Sequence, residues 1–288
     1  MAVILLLLTL QSIPRVALTG TLHNPRVKES SGIAASRAHP GVLWTHNDSG
    51  DDAYVYATDL AGADSGFVRI RGARAVDWED IALGPCPTRR GPCLYIADTG
   101  DNERTRRSVV IYAVAEPDPP GKGRGPVRSA PAAALRLRYA GGPDDVEAIY
   151  VSPRDSALYL VSKGRTGVVQ LYRVPRSAWG GDTVVTATPL QRLPIPPFAA
   201  LGRLVTGAAI RPDGRFVAVR TYTEIYRFVS GEGGRLTASG WPVCNITGLE
   251  VQGEAIDFLD DSTFVLTSEA DRRGRGSIHT VRCPEATP

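Results

Sequence analysis

A short phrase that begins with a polar residue and continues as an apolar strand recurs five times along the chain. Four copies begin with an acid and one has threonine there: Glu29-Ser-Ser-Gly-Ile-Ala, Glu79-Asp-Ile-Ala, Glu147-Ala-Ile-Tyr, Thr206-Gly-Ala-Ala-Ile and Glu254-Ala-Ile-Asp. The copies start at positions 29, 79, 147, 206 and 254, so they are spaced by 50, 68, 59 and 48 residues. Self-similarity at this period is typical of repeat folds, in which each repeat is one supersecondary unit.

Each phrase is followed by a turn that contains Pro, Gly or Asp and then by further apolar strands. In the third repeat these are Leu158-Tyr-Leu-Val-Ser-Lys and Val168-Val-Gln-Leu-Tyr-Arg-Val, with a fourth strand at Val184-Val-Thr-Ala. No stretch of twelve or more residues has helical apolar periodicity with capping residues. The sequence therefore predicts an all-β fold, a single β-propeller of five four-stranded blades. The alternative is a β-sandwich, which does not explain an acid before the same strand four times.

The two ends of the chain are expected to meet. The last repeat lacks a fourth strand, and Arg15-Val-Ala-Leu-Thr-Gly-Thr-Leu can supply one, which closes the ring and removes an open edge. The propeller domain then covers residues 15–288. A Pro- and Gly-rich segment near residues 116–131 is interpreted as a flexible insertion in the second blade, and the blade count becomes six if it hides an irregular blade.

The N-terminus and the cysteines indicate export. Residues 3–10 form an apolar run that is too short to span a bilayer, so residues 1–14 are interpreted as a signal peptide and no transmembrane span is expected. The alternative is a start codon assigned upstream of a cytoplasmic chain. Two of the four cysteines, Cys86 and Cys93, flank a short turn, and the preferred pairing is Cys86 with Cys93 and Cys244 with Cys283. Disulfides indicate a secreted or periplasmic protein.

Several phrases resemble motifs of exported bacterial β-propeller proteins in the phytase-like and NHL/SMP-30-like group. They are Glu29-Ser-Ser-Gly-Ile-Ala, Trp44-Thr-His-Asn-Asp-Ser-Gly, Trp78-Glu-Asp-Ile-Ala, Asp98-Thr-Gly-Asp-Asn, Val146-Glu-Ala-Ile and Gly253-Glu-Ala-Ile. The resemblance covers most of the chain beyond residue 27. It implies carboxylates and Ca²⁺ in a central funnel, as in calcium-dependent phytases and lactonase-type hydrolases. Five repeats depart from the six blades usual in those proteins.

The polar residues of the repeat are expected on one face of the propeller. The start of each inner strand lies on the same face as the end of the antiparallel second strand. The ligand-binding residues predicted there are Glu29, His46, Trp78, Glu79, Glu147, Lys163, Arg220, Glu254 and Glu269. The repulsion between the acids requires compensation, which ion pairs with Lys163 and Arg220, a belt of backbone amides or a divalent cation can provide.

Two loops beside this face have the composition of a calcium site. Their oxygen donors surround Gly-containing turns, and the predicted metal ligands are Asn47, Asp48, Asp98, Asp101 and Asn102. Asp, Asn and Gly are also ordinary turn formers. His46 is either a base or ligand, or a hydrogen-bonded structural residue, and Trp78 either walls the funnel or stacks on a sugar.

The leading hypothesis is a secreted, monomeric propeller whose acidic axial face binds a small polar or anionic molecule together with Ca²⁺, with metal-assisted hydrolysis as a further step. One alternative is a non-catalytic scaffold for a protein or the cell envelope, and another is a glycoside hydrolase that uses two axial carboxylates. The net charge of +3 argues against a nucleic-acid partner. No Gly-x-Ser-x-Gly, Gly-x-x-x-x-Gly-Lys or His-Glu-x-x-His motif occurs, which disfavours serine hydrolases, nucleotide binding and zinc proteases.

Overall fold

The computed structural model describes residues 13–198 and 202–285, and these residues form β-strands with two single-turn 3₁₀ helices, at Arg176–Ala178 and Glu232–Gly234, and no α-helix. The predicted signal peptide lies outside the described residues, except for Ile13 and Pro14. The strands are β1 (Arg15–Thr21), β2 (Ser30–Ala35), β3 (Leu43–Asn47), β4 (Tyr54–Thr58), β5 (Phe67–Arg71), β6 (Trp78–Pro85), β7 (Pro92–Asp98), β8 (Val109–Ala115), β9 (Val127–Pro131), β10 (Ala133–Tyr139), β11 (Val146–Val151), β12 (Leu158–Ser162), β13 (Val169–Val174), β14 (Val185–Leu193), β15 (Val205–Ile210), β16 (Phe216–Thr221), β17 (Glu224–Ser230), β18 (Leu236–Ala238), β19 (Cys244–Asn245), β20 (Gly253–Phe258), β21 (Thr263–Ala270) and β22 (Gly276–Arg282).

The strands pair in the order in which the repeats predict them. Each repeat begins with an inner strand, β2, β6, β11, β15 or β20, whose antiparallel partner is the next strand along the chain. Strands β2 to β5 form one sheet, β6 to β8 with β10 a second, β11 to β14 a third, β15 to β18 a fourth and β20 to β22 with β1 a fifth. A parallel pairing of β10 with β14 joins the second sheet to the third.

The inner strands form a closed cycle. Strand β2 packs against β6, β6 against β11, β11 against β15, β15 against β20, and β20 against β2 again. Strands β2, β11, β15 and β20 are buried at every residue, which explains their nearly continuous apolar composition. Five apolar clusters fill the spaces between consecutive sheets, and one of them joins the fifth sheet to the first. Sheets arranged radially around a common axis are the architecture of a β-propeller.

Two segments outside the repeated core complete the sheets. Strand β1 pairs antiparallel with β22, with Arg15 opposite Arg282 and Thr21 opposite Ser277. The segment at residues 116–131 ends in a strand, β9, which pairs parallel with β5 of the first sheet. This segment therefore extends an existing sheet, while residues 116–126 remain irregular.

Both predicted cysteine pairs lie at disulfide distance. The Cα atoms are 4.9 Å apart for Cys86 and Cys93 and 5.5 Å apart for Cys244 and Cys283. The first disulfide closes the turn between β6 and β7. The second ties β19, which pairs with β17 of the fourth sheet, to the residue after β22 of the fifth.

We expect removal of the second disulfide to destabilise the protein more than removal of the first. A crosslink restricts the unfolded chain more strongly when it closes a longer loop, and the sequence separations are 39 and 7 residues. The chain-entropy relation gives about 4 kcal/mol for Cys244–Cys283 and about 2.5 kcal/mol for Cys86–Cys93. Urea denaturation of the two double Cys→Ser variants measures both values, and equal losses would contradict the expectation.

Candidate functional site

Every inner strand carries a β-bulge at the same position near its start. The register shifts lie between Ser30 and Gly32, Trp78 and Asp80, Val146 and Ala148, Val205 and Gly207, and Gly253 and Ala255. The residues at the bulges, called the bulge ring here, are Ser31, Glu79, Glu147, Thr206 and Glu254, and all are buried. A β-bulge redirects a side chain out of the regular pleat, so the shared bulge position gives the repeated acids a common direction.

Ser31, and not Glu29, occupies the bulge of the first repeat. The sequence phrase placed Glu29 in register with Glu79, but the structure shifts the alignment by two residues. The Ser31 hydroxyl donates to the backbone oxygen of Glu79 at 2.7 Å, and the Thr206 hydroxyl donates to that of Gly253 at 3.2 Å. The two uncharged members of the bulge ring thus link neighbouring sheets. The other three members are the glutamates.

A second set of acids lies two residues before the bulges. Asp77 precedes Glu79 and Asp145 precedes Glu147, and sequence reasoning missed both. Carboxylate oxygens of Asp48, Asp77 and Glu79 all lie within 4.8 Å of one another, and so do those of Glu79, Asp145 and Glu147. Glu79 belongs to both groups. The acid-x-acid spacing in Asp77-Trp-Glu79 and Asp145-Val-Glu147 is the sequence signal that identifies these residues.

The second strands bring further polar groups to the same face. Asp48 and Lys163 follow the ends of β3 and β12, and Glu269 is the penultimate residue of β21. Their backbone N–H groups donate to the backbone oxygens of the residues two before the bulges, which are Glu29, Asp145 and Gln252. The Lys163 ammonium lies 2.6 Å from Glu147 Oε1. In the fifth sheet, the Gln252 side chain donates to both Glu254 and Glu269.

The pKa values of these acids are raised because they are buried together. Burial, followed by the charges of Asp77 and Glu254, raises the pKa of Asp48 to about 8. Burial raises the pKa of Glu147 to about 7 although Lys163 opposes the shift. The pKa of Glu79 also lies well above its usual range, first through burial and then through Glu147 and Asp48. Glu254 interacts with Asp48 and with Glu147, so the three bulge-ring glutamates share one electrostatic environment.

Glu269 lies at the edge of this environment. Burial and the charges of Glu254 and Glu29 raise its pKa to about 7. Glu29 thus remains near the face, partly exposed beside Glu269, without joining the bulge ring.

Glu79 is the most conspicuous member of this cluster. It is 4% exposed and belongs to both groups of acids, while the carboxylate oxygens at this face that are fully buried without a hydrogen-bond partner are Asp48 Oδ1 and Glu254 Oε2. A Cβ atom at Gly100 would collide with the carboxylate oxygens of Glu79 and Asp77, so a glycine there keeps the space beside both acids open. A carboxylate oxygen buried without a donor, such as Asp48 Oδ1, favours a proton or a cation beside it.

The two groups of acids differ in their counter-charges. In the group of Glu79, Asp145 and Glu147, Lys163 pairs with Glu147 and Arg165 lies 2.8 Å from Asp145. Asp145 also accepts the backbone N–H of Asp101 at 3.1 Å. In the group of Asp48, Asp77 and Glu79, no basic side chain of the described residues lies within ion-pair distance, and Asp48 Oδ1 is buried without a hydrogen-bond partner. The group of Asp48, Asp77 and Glu79, called the open triad here, therefore has no counter-charge among the described residues.

The sequence predicts that Arg220 faces the axial acids, but in the structure it does not. It is fully buried and pairs with Glu250, while its Nη1 donates to the backbone oxygen of Ala255 at 2.6 Å. Gly253 leaves room for the guanidinium, since a Cβ there would collide with it. Burial raises the pKa of Glu254 and the charge of Arg220 opposes this shift from a distance, but the fully buried guanidinium is not accessible to a ligand.

Four of the five predicted metal ligands instead make hydrogen bonds or ion pairs with other loop residues. The Asn47 side-chain oxygen accepts the backbone N–H groups of Lys28 and Glu29, and its amide donates to Asp51. Asp98 pairs with Arg106 at 2.8 Å, and Asn102 accepts from Arg165. Asp101 accepts the backbone N–H groups of Thr105 and Arg106. Of the five predicted ligands, only Asp48 lies in the acid cluster. The side-chain oxygens of the other four already accept hydrogen bonds from the protein.

His46 and Trp78 are both buried. His46 is fully buried, and burial lowers its pKa to about 4, so the ring is neutral at pH 7. Its edge packs against Trp78, with ring centroids 5.6 Å apart. Trp78 is 1% exposed and donates to the backbone oxygen of Arg74, so it offers no surface on which a sugar could stack.

No protein-family model matches the chain, and no curated protein matches it in sequence. Solved structures with a similar arrangement include a nidogen/laminin complex, at 12% identity and a TM-score of 0.48 over 84% of this chain and 73% of that one. A glucose dehydrogenase has 11% identity and a TM-score of 0.48 over 94% of this chain and 100% of its own. An auxiliary nutrient binding protein from Bacteroides thetaiotaomicron has 11% identity and a TM-score of 0.46, over 95% and 69%. Similarity at this level assigns neither an activity nor a ligand to this chain.

Proposed function

We propose that this protein is an exported, five-bladed β-propeller, closed by β1, that binds Ca²⁺ at the open triad of Asp48, Asp77 and Glu79. The observation that carries the proposal is the grouping of three carboxylates within 4.8 Å of one another, of which Asp48 Oδ1 is buried without a hydrogen-bond partner. Hard oxygen ligands in this number favour Ca²⁺ over transition metals. The five inner strands in a closed cycle and the pairing of β1 with β22 support the blade count and the closing strand.

Export is supported by the two disulfides, which persist in oxidising compartments. Among residues 13–198 and 202–285 no helix has the length and apolarity of a membrane span. The protein is proposed to act as a monomer in the periplasm or outside the cell.

A small anionic or polar ligand is proposed to bind on the same face through the cation. Because Arg220 is fully buried, Lys163 is the basic residue of the predicted pair that borders the acid cluster. The Tyr222 hydroxyl, 3.4 Å from Glu254, adds a polar group that sequence reasoning missed. Bound Ca²⁺ would supply charge neutralisation and polarisation of a ligand oxygen. In its more specific form, the proposal is that the protein also hydrolyses the bound ligand with the assistance of the metal ion.

The two alternatives predict different outcomes. A scaffold would retain its partner after chelation of Ca²⁺. A glycoside hydrolase would use two axial carboxylates, but the burial of Trp78 removes the aromatic platform that had favoured it. An aryl-glycoside screen and a crosslinking experiment with and without chelator address these alternatives.

We expect Ca²⁺ to raise the melting temperature of chelated protein, and to raise it more at pH 8 than at pH 5.5. Asp48 and Glu147 have folded-state pKa values of about 8 and about 7, above those of the unfolded chain. The folded state therefore holds more protons between pH 4.5 and 8, and without metal its stability falls as pH rises through this range. Ca²⁺ replaces those protons, and at 100 times Kd it contributes about 2.7 kcal/mol. Differential scanning fluorimetry across this pH range measures the effect.

Mg²⁺ at the same ionic strength is the control, because it demands a smaller octahedral shell. A melting temperature that does not respond to millimolar Ca²⁺ at any pH would remove the metal from the proposal and leave the acids as a protonated belt between the blades.

A further inference from the structure

A cavity of about 330 Å³ opens at the end of the propeller opposite to the acids. The acids lie at the starts of the inner strands, whereas this cavity is formed by the ends of β6, β11 and β15 and the turns that follow them. From Glu79 to Leu83 the strand advances about 14 Å at roughly 3.4 Å per residue, so the two sites are separated by the thickness of the propeller. A narrow pocket adjoins this cavity, with Arg37, Leu83, Val151 and Ile210 in both linings, and it is also lined by Ile33, Ile81 and Ile256.

The wall of the cavity is apolar and rigid. It is formed by strand ends and proline-containing turns: Leu83, Pro85, Pro92, Val151, Ile210 and Pro212. Val151 is fully buried and packs closely against Gly84. A Cβ atom at residue 84 would lie only 2.5 Å from the Val151 side chain, so the close packing requires glycine there. Proline rings and paired strands change shape little on binding, so the cavity is preformed. Small-molecule sites are concave, mostly apolar and of this size.

Two arginines border the cavity, and only one has a carboxylate partner. Arg211 is held by Asp213, with Nε to Oδ1 at 3.0 Å and Nη2 to Oδ2 at 2.5 Å, so its charge is neutralised locally. Arg37 is exposed and makes no ion pair with the described residues; its Nη2 lies 3.5 Å from the backbone oxygen of Phe258.

Asp257 lies near Arg37 but beyond ion-pair distance. It lines the adjoining narrow pocket and accepts the backbone N–H groups of Ala35 and Phe258, each at 2.7 Å. Burial raises the pKa of Asp257 to about 6, and the charge of Arg37 opposes this shift. The result is an apolar cavity with one guanidinium at its rim that forms no ion pair with a carboxylate of the described residues.

We propose that this cavity binds a small molecule with a compact apolar body and one anionic group, and that Arg37 holds the anion. The apolar wall requires a hydrophobic body, and a guanidinium pairs with a carboxylate or sulfonate through two parallel hydrogen bonds. Since the acid cluster lies at the opposite end of the axis, this site is separate from the proposed Ca²⁺ site.

The experiment compares two dyes that share an anilinonaphthalene body. 1-Anilinonaphthalene-8-sulfonate carries one negative charge, and N-phenyl-1-naphthylamine carries none. We expect the sulfonate to bind with one-to-one stoichiometry and about tenfold more tightly than the neutral dye. Arg37→Met should remove this preference, while Arg272→Met, which changes an exposed arginine in the loop between β21 and β22, should preserve it.

Leu83→Trp should fill the cavity and weaken the binding of both dyes at least about tenfold. Pro212→Trp, at an exposed turn on the same rim, serves the same purpose if the first variant does not fold. Equal affinities for the two dyes, an unchanged preference in Arg37→Met, or full binding in a folded cavity-filling variant would each overturn the proposal.

Discussion

Glu79→Gln is expected to weaken Ca²⁺ binding on the order of 100-fold, because it removes a charge from the centre of the open triad. Glutamine has nearly the shape of glutamate, so the packing beside Gly100 is retained. The metal-free variant should also melt at a higher temperature than the wild type at pH 8, since its amide donates to the neighbouring acids and one buried charge is gone. Calorimetric titration and differential scanning fluorimetry measure the two effects.

Two matched variants locate the effect. Asp145→Asn changes an acid of the neutralised group, where Arg165 is already 2.8 Å away, and should alter Ca²⁺ affinity much less. Glu103→Gln changes an exposed acid in the neighbouring loop and should leave the affinity unchanged. If Glu79→Gln and Glu103→Gln bind Ca²⁺ equally well, Glu79 is not a ligand.

Arg220→Met is expected to lower the free energy of unfolding by about 3–5 kcal/mol, the usual cost of leaving one member of a buried ion pair alone. Arg220 is fully buried, and its partner Glu250 is 2% exposed at the side chain. His279 Nδ1, 3.3 Å from Glu250, is the other group near this carboxylate. Loss of the guanidinium thus leaves a buried carboxylate almost without compensation.

The contribution of Glu250 to the pH dependence of stability should reverse its sign in this variant. In the wild type, burial alone would raise the pKa of Glu250, but Arg220 holds it below its usual range. The pair therefore contributes stability at neutral pH that is lost as pH falls through the folded-state pKa. In Arg220→Met the pKa of Glu250 should rise, so acidification from pH 7 to pH 5 should stabilise this variant more than it stabilises the wild type and should narrow the difference between them.

Urea denaturation at both pH values tests this expectation, with the double variant Arg220→Met, Glu250→Leu as the control. The double variant should regain most of the stability lost in the single one, because both buried charges are removed together. A loss below 1 kcal/mol in the single variant, or no recovery in the double one, would show that the pair is not important for folding.

The repeated phrase predicts the inner strands well because burial on both faces forces an apolar run at each of them. It does not predict the β-bulge, which depends on how each inner strand pairs with its partner. For this reason Glu29 was aligned with Glu79, although Ser31 takes that position. The repeated spacing of Asp77 with Glu79 and Asp145 with Glu147 would have corrected the alignment.

The loop residues show a second limit. Asn47, Asp98 and Asp101 have the composition of a calcium site, yet backbone amides and Arg106 already occupy their oxygens. Arg220 likewise pairs with Glu250, 30 residues away in the chain. Whether a polar side chain is free depends on partners that only the folded chain brings together, so the sequence predicts the acidic face but not which of its acids lack a cation.

The most direct test of the calcium site is an anomalous difference map from crystals grown with Ca²⁺. We expect one peak at the starts of the inner strands, with carboxylate oxygens of Asp48, Asp77 and Glu79 at about 2.3–2.6 Å from it. A map without a peak there, or with its only peak in the loop of Asp98, Asp101 and Asn102, would contradict the central claim that the open triad is the metal site.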